Sequence, residues 1–220
     1  MNQAHFDQAA ATWDANPTRL GMSKAFATAI EATVPLQADW AAMEYGCGTA
    51  TLSFLLAGKL RHITAADASP GMLEQVRLKI AANGLTSIQP RLLDLTDMPP
   101  PEARFNFIFC AMALHHVADI PDLAAKFAAL LLPGGWLAIA DLYAEDGSFH
   151  PDVVVPHHGF EPERLAAVFA SVGLTDLTWQ TVHGLERHGR RYPLFLLTGR
   201  CFACAKVPPA AGRLAGGGEG

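Results

Sequence analysis

The stretch Met43-Glu44-Tyr45-Gly46-Cys47-Gly48-Thr49-Ala50 constrains the chain most, because it reads as a buried strand that stops at a glycine loop and runs into a helix. Trp40 to Tyr45 is short and apolar, and Leu52, Leu55 and Leu56 carry the helix that follows. Gly46 and Gly48 lack a β-carbon, so the backbone can turn sharply and lie flat against a ligand, with the free N–H groups of the helix start facing it. A glycine turn after a strand also serves packing alone. Two acids favour the ligand. Glu44 sits just before the loop, and Asp67 ends the next apolar run, Ile63 to Ala66, about 20 residues beyond Gly48. In a doubly wound sheet the carboxyl ends of neighbouring strands meet at one crevice, where an acid in the position of Asp67 suits ribose hydroxyls.

The composition narrows the partners. A chain of 220 residues, half of them hydrophobic, can bury a sizeable core in one domain. With a net charge of −5 and no basic run, nucleic acid is not expected as a partner. No segment has the roughly 18 uncharged apolar residues of a membrane span, and the start of the chain does not read as a leader, so no membrane partner and a cytoplasmic location are expected. Cys47, Cys110, Cys201 and Cys204 suit reduced core thiols, and Cys201-x-x-Cys204 has no second pair with which to hold zinc.

Along the chain, helical spacing over Phe6 to Trp13 and Ser23 to Thr33, broken at Asn16-Pro17, predicts two helices before the first strand. Residues 1–36 are therefore expected to form a lid, with Trp13 and Arg19 at its polar break. Ser69-Pro70 starts a helix that Asn83-Gly84 ends. Ile88 to Leu95, Phe105 to Met112 and Trp136 to Leu142 read as strands, and Pro133-Gly134-Gly135 as the stop of the helix before the last of these. Tyr143 to Gly159 is a long polar loop with three histidines. Leu174 to His183 and Tyr192 to Ala203, with no helix between, must be antiparallel strands. Residues 207–220 have little to bury and are expected to be disordered.

Five strand–helix units closed by a hairpin resemble the class I S-adenosylmethionine-dependent methyltransferases, of the small single-domain type that acts on small molecules. The resemblance covers residues 6–206 and rests on Glu44 to Thr49, Asp67-Ala68-Ser69-Pro70-Gly71-Met72, Phe105 to Val117 with Leu114-His115-His116, and Leu132 to Trp136. It implies an α/β, Rossmann-like, seven-stranded, mostly parallel sheet of order 3-2-1-4-5-7-6, the last strand antiparallel, with helices on both faces over residues 37–206. It also implies S-adenosyl-L-methionine as cofactor. Carried over by position, Gly46 and Gly48 approach the methionine moiety, Glu44 anchors the loop or the cofactor's ammonium, and Asp67 holds the ribose. Ala68 or Met72 flanks the adenine, Asp94 and Leu95 border its other edge, and Ala111 and Met112 lie beside the sulfonium. Ala50 stands where the family's loop has its third glycine, and its methyl group is expected to be tolerated at the helix start.

Methyl transfer needs alignment first and a base only if the acceptor must lose a proton. Candidates near the end of the fifth strand are Asp141, Tyr143, His150, His157 and His158, with His157, His158 and Tyr143 as the catalytic choice. Trp13, Arg19, His116 and His150 are candidates for the acceptor side. His115-His116 also reads as packing or capping of a helix. No metal is expected, since His150, His157 and His158 lack ligand spacing. A nicotinamide-dependent oxidoreductase is the rival enzyme, but Thr51 stands where that fingerprint has its last glycine. A non-catalytic cofactor-binding or regulatory protein is the other alternative. The sequence leaves the acceptor atom and the oligomeric state open.

Overall fold

In the computed structural model, which describes residues 3–202, every strand pairs into one seven-stranded sheet. In chain order the elements are α1 (Gln3–Ala9), α2 (Pro17–Thr33), β1 (Ala41–Tyr45), α3 (Thr51–Leu56), β2 (His62–Asp67), α4 (Pro70–Asn83) and β3 (Ile88–Leu92). They continue as β4 (Phe105–Ala111), α5 (Ile120–Leu130), β5 (Leu131–Leu142), α6 (Pro162–Ser171), β6 (Leu174–Arg187) and β7 (Arg190–Cys201). The sheet order is β3-β2-β1-β4-β5-β7-β6, parallel throughout except that β7 runs antiparallel to both β5 and β6. This is the expected topology. Order reverses between β1 and β4, so the crevice at their carboxyl ends is the place where the connections diverge.

Side chains alternating along the central strands feed two cores. Met43, Tyr45, Ile108 and Cys110 pack with Phe127 of α5 and Phe169 of α6, while Ala42, Phe107 and Phe109 pack with Phe26 of α2, Leu52 of α3 and Leu73 of α4. Local chemistry sets the helix ends. Asn16 accepts from Thr18 N–H at 2.9 Å ahead of Pro17, and Ser69 accepts from Met72 N–H at 3.1 Å ahead of Pro70. Gly84 closes α4 in a left-handed conformation.

Three departures from the sequence reading have physical causes. Pro133-Gly134-Gly135 does not separate α5 from β5; the strand starts at Leu131 and the register slips between Phe105 and Phe107 of β4. A β-carbon on Gly135 would lie 2.8 Å from the Leu132 carbonyl oxygen and 3.1 Å from that of Asn106, so glycine allows the irregularity. The first helix breaks into α1 and a 3-10 turn, Ala10–Ala15. Of the cysteines, Cys47 and Cys110 are buried free thiols, whereas Cys201 is disulfide-bonded, and Cys204 lies outside the described residues. So does the tail 207–220. Among the described residues no helix is long and apolar enough to cross a membrane.

Ala50 is not simply a helix start. It is fully buried at φ 59° and ψ 28°, in the left-handed region that costs a residue with a β-carbon about 1–2 kcal/mol. Ala50→Gly should relieve that cost and, after the entropy gained by the unfolded chain, raise the unfolding free energy by up to about 1 kcal/mol. Urea denaturation measures it; a midpoint below that of the parent would contradict strain at this position.

Candidate active site

The glycine loop is fixed from three sides before any ligand is considered. Cys47 N–H donates to the Ala66 carbonyl at 3.0 Å, tying the loop to β2. Gly46, at φ 67°, has no room for a side chain, since its β-carbon would stand 2.4 Å from that of Ala113. Glu44 is buried, and its Oε2 accepts from both the N–H, at 3.1 Å, and the hydroxyl of Ser53 in α3. It thus anchors the helix that follows the loop.

Asp67 is the second anchor. Its Oδ2 accepts from Gly48 N–H at 2.7 Å and its Oδ1 from Ser69 N–H at 2.8 Å, so one buried carboxyl joins the glycine loop to the start of α4. Burial raises its pKa, against the pull of these backbone donors. Ala68 and the buried Met72 continue from this strand end. On the next strand end Asp94 Oδ1 accepts from Thr96 N–H at 2.9 Å and the Thr96 hydroxyl at 2.7 Å. Leu95 N–H donates to the Tyr45 hydroxyl at 3.3 Å.

The N-terminal segment lies across this crevice. Asp7 of α1 accepts from the Ser69 hydroxyl at 2.5 Å and from Gly71 N–H at 2.9 Å. The Arg19 guanidinium sits 3.6 Å over the Trp13 ring and donates to the Trp13 carbonyl at 2.9 Å. A β-carbon on Gly48 would come within 3.7 Å of the Trp13 indole nitrogen. Asp14 ties the segment down further, accepting from the Thr49 hydroxyl at 2.6 Å and pairing with Lys79 at 3.0 Å.

Beside the loop, the ends of β4 and β5 bring three imidazoles together. Met112 follows Ala111 in a left-handed conformation, φ 55°, held by its N–H to the Ala140 carbonyl at 2.8 Å. That bend leads into the short turn Leu114–His116. Asp141, wholly buried near the end of β5, accepts from His115 Nδ1 at 2.7 Å and from His115 N–H at 3.2 Å. A carboxylate only accepts, so the proton of neutral His115 is on Nδ1 and the lone pair on Nε2. His115 Nε2 stands 3.2 Å from His150 Nε2. The His116 ring is 4.2 Å from that of His115 and 5.3 Å from Phe6 of α1. Burial and the neighbouring imidazoles push His116 down to about 3 and His150 to about 4, so both are neutral at pH 7.

Of the loop candidates, His150 alone joins this group. The buried His157 Nε2 has no hydrogen-bond partner, His158 is exposed beside Glu145 at 3.8 Å, and the Tyr143 hydroxyl is bonded to Thr181 of β6 at 2.8 Å. Sequence reasoning gave His115 no site role and did not single out Phe6 and Asp7. The available signal for His115 was Asp141, an acid in an apolar strand, which needs a buried partner.

The comparisons agree with this geometry. Residues 42–135 match the family described as methyltransferase domain. An uncharacterized methyltransferase of Schizosaccharomyces pombe is 28% identical over 61% of this chain and 53% of its own. A ubiquinone biosynthesis O-methyltransferase of Xylella fastidiosa is 31% identical over 58% and 48%. A phosphoethanolamine N-methyltransferase of Haemonchus contortus, solved with S-adenosyl-L-methionine, superposes with a TM-score of 0.67 at 13% identity over 79% of this chain and 51% of its own. Residues 42–135 thus carry a methyltransferase domain, and the fold is that of methyltransferases solved with S-adenosylmethionine or S-adenosylhomocysteine. The chain spans about half the length of the curated relatives it matches.

Glu44 makes the site pH-sensitive in stability. Burial raises its pKa from 4.5 to about 7. A carboxyl raised on folding favours the folded state while protonated, so its contribution is full below pH 4.5 and is lost as pH rises through about 7. Between pH 4.5 and 7 the unfolding free energy of Glu44→Gln should therefore fall less than that of the parent, by no more than about 3 kcal/mol. Parallel slopes in denaturant titrations across that range would contradict the shift.

Proposed function

We propose that the chain transfers a methyl group from S-adenosylmethionine to a small-molecule acceptor at the carboxyl ends of β1, β2, β4 and β5. The observation that carries this reading is the pairing of a glycine loop braced by Asp67 with the buried Asp141–His115 pair on the adjoining strand ends. The net charge of −5 and the small-molecule names of relatives such as the ubiquinone-biosynthesis enzyme support a small acceptor.

The donor set fits the cofactor. Asp67 accepts from Gly48 N–H on one oxygen and from Ser69 N–H on the other, and a carboxylate's remaining lone pairs suit a ribose hydroxyl. Gly48 offers backbone with no side chain on the face toward Trp13. Asp94 and Leu95 would border the adenine with Ala68 and Met72, Gly46 and Gly48 would approach the methionine end, and Ala111 and Met112 would lie beside the sulfur. Glu44 holds the loop through Ser53. When bound, the cofactor supplies a methyl carbon activated by positive sulfur. The chain's own contribution is alignment and exclusion of water, for which the segment through residue 36 acts as the lid. Trp13, Arg19, His116 and His150 then line the acceptor side.

Two measurements test the reading. Asp67→Ala should weaken S-adenosylhomocysteine binding, measured by calorimetry, by about 1.5–3 kcal/mol, the value of charge-assisted hydrogen bonds. Unchanged affinity in a variant with the parent unfolding transition would remove the ribose role. Hydrogen exchange over residues 6–20 should slow when S-adenosylhomocysteine is added; identical exchange with and without it would contradict a lid.

A further inference from the structure

Among the described residues, His115, His116 and His150 are the one group of three potential metal ligands, with donor atoms all within 4.8 Å of one another. We propose that these three imidazoles bind a divalent cation of the zinc class and leave a fourth position open to the oxygen, nitrogen or sulfur of the methyl acceptor. The acceptor half rests on the function proposed above, whereas the cation site does not.

The geometry is that of ligands already gathered. Two imidazole nitrogens on one tetrahedral zinc, each at about 2.05 Å, stand about 3.3 Å apart. His115 Nε2 and His150 Nε2 are 3.2 Å apart. Without a cation that separation is a hydrogen bond, so the distance alone does not separate the two states. The surroundings favour the cation. Asp141 takes the Nδ1 proton of His115 at 2.7 Å and is itself held by Leu142 N–H at 2.7 Å, which aims the Nε2 lone pair and makes it more basic. A relay between Asp141 and solvent would need only His115 and His150, yet His116 is packed against both rings, at 4.2 and 5.5 Å between centroids. Asp141 is a wholly buried acid bonded to His115 and to the Leu142 N–H, and a cation on His115 Nε2 would place positive charge across the imidazole ring from it. Three nitrogen donors with neither thiolate nor extra carboxylate select zinc, nickel, cobalt or copper over magnesium or calcium.

Three ligands with a free position is the pattern of reactive rather than structural zinc. The Phe6 ring of α1 meets His116 edge to face at 5.3 Å, which sets the N-terminal segment beside the cluster. An acceptor hydroxyl or thiol held at the free position would give up its proton more readily, the proton leaving to solvent. This explains how His150, distant in sequence from the glycine loop, enters the site.

The test uses the whole chain, stripped of metal by a chelator, and titrates it with cobalt(II) by visible absorption and with zinc by calorimetry. One equivalent should bind, with the intense absorption of four-coordinate cobalt. His116→Gln and His150→Gln should each weaken binding at least about tenfold, while His158→Ala leaves it unchanged. Azide, used as a probe of the fourth position, should shift the cobalt band. Absence of stoichiometric binding, or parental affinity in both glutamine variants, would overturn the site. An azide-insensitive spectrum would overturn the open position. S-adenosylhomocysteine affinity is measured on the same samples. If it is retained while metal binding fails, only this proposal falls; if metal binds and S-adenosylhomocysteine does not, the function proposed above falls instead.

Discussion

The carboxyl group of Asp67 is the contact on which the rest of the site depends. It is buried at the end of β2 and spends one oxygen on Gly48 N–H and the other on Ser69 N–H. Two helix starts that belong to different strand–helix units are thereby set at a fixed distance. Removing the acid would leave two backbone donors without a partner at a buried strand end, at about 1–3 kcal/mol each. The N-terminal segment builds on the same point, since Asp7 bonds Ser69 and Gly71 directly beside it.

A second buried acid, Asp141, does for the histidine cluster what Asp67 does for the loop. Its carboxylate orients His115 through both the ring and the backbone N–H. Glu44 is the third, closing on Ser53. Each of these acids sits at or near the carboxyl end of a strand. Burial costs are offset locally by backbone donors, so the polar groups are organised before any ligand arrives. Left-handed Ala50 and Met112 stand at the same ends, and such strain gathers where the backbone must be held in an uncommon shape.

The strands were legible because each parallel strand is a short apolar run closed by a turn, and the lack of a helix between Leu174 and Cys201 forces the antiparallel pair; their order in the sheet came from the family resemblance. Gly46, Gly48, Glu44 and Asp67 were legible for the same reason: their chemistry is local to one turn or one strand end. Less could be read where contacts span the chain. His115 and His150 meet only because β4 and β5 end side by side, and nothing in the spacing of either announces the other. His157 and His158 were chosen by residue type in a long loop; His157 meets His115 through its backbone, N–H to carbonyl at 3.3 Å, while His158 lies exposed beside Glu145. The left-handed backbone at Ala50 was hidden because alanine gives no sign of it, whereas glycine would.

The crevice at the carboxyl ends of β1, β2 and β4 is, on this reading, built for S-adenosylmethionine. Calorimetric titration of the full chain with S-adenosylmethionine and, separately, with NAD tests it most directly. The account predicts saturable binding of one equivalent of S-adenosylmethionine and no heat of binding with NAD. Binding of NAD, or none of S-adenosylmethionine to the folded chain, would contradict it.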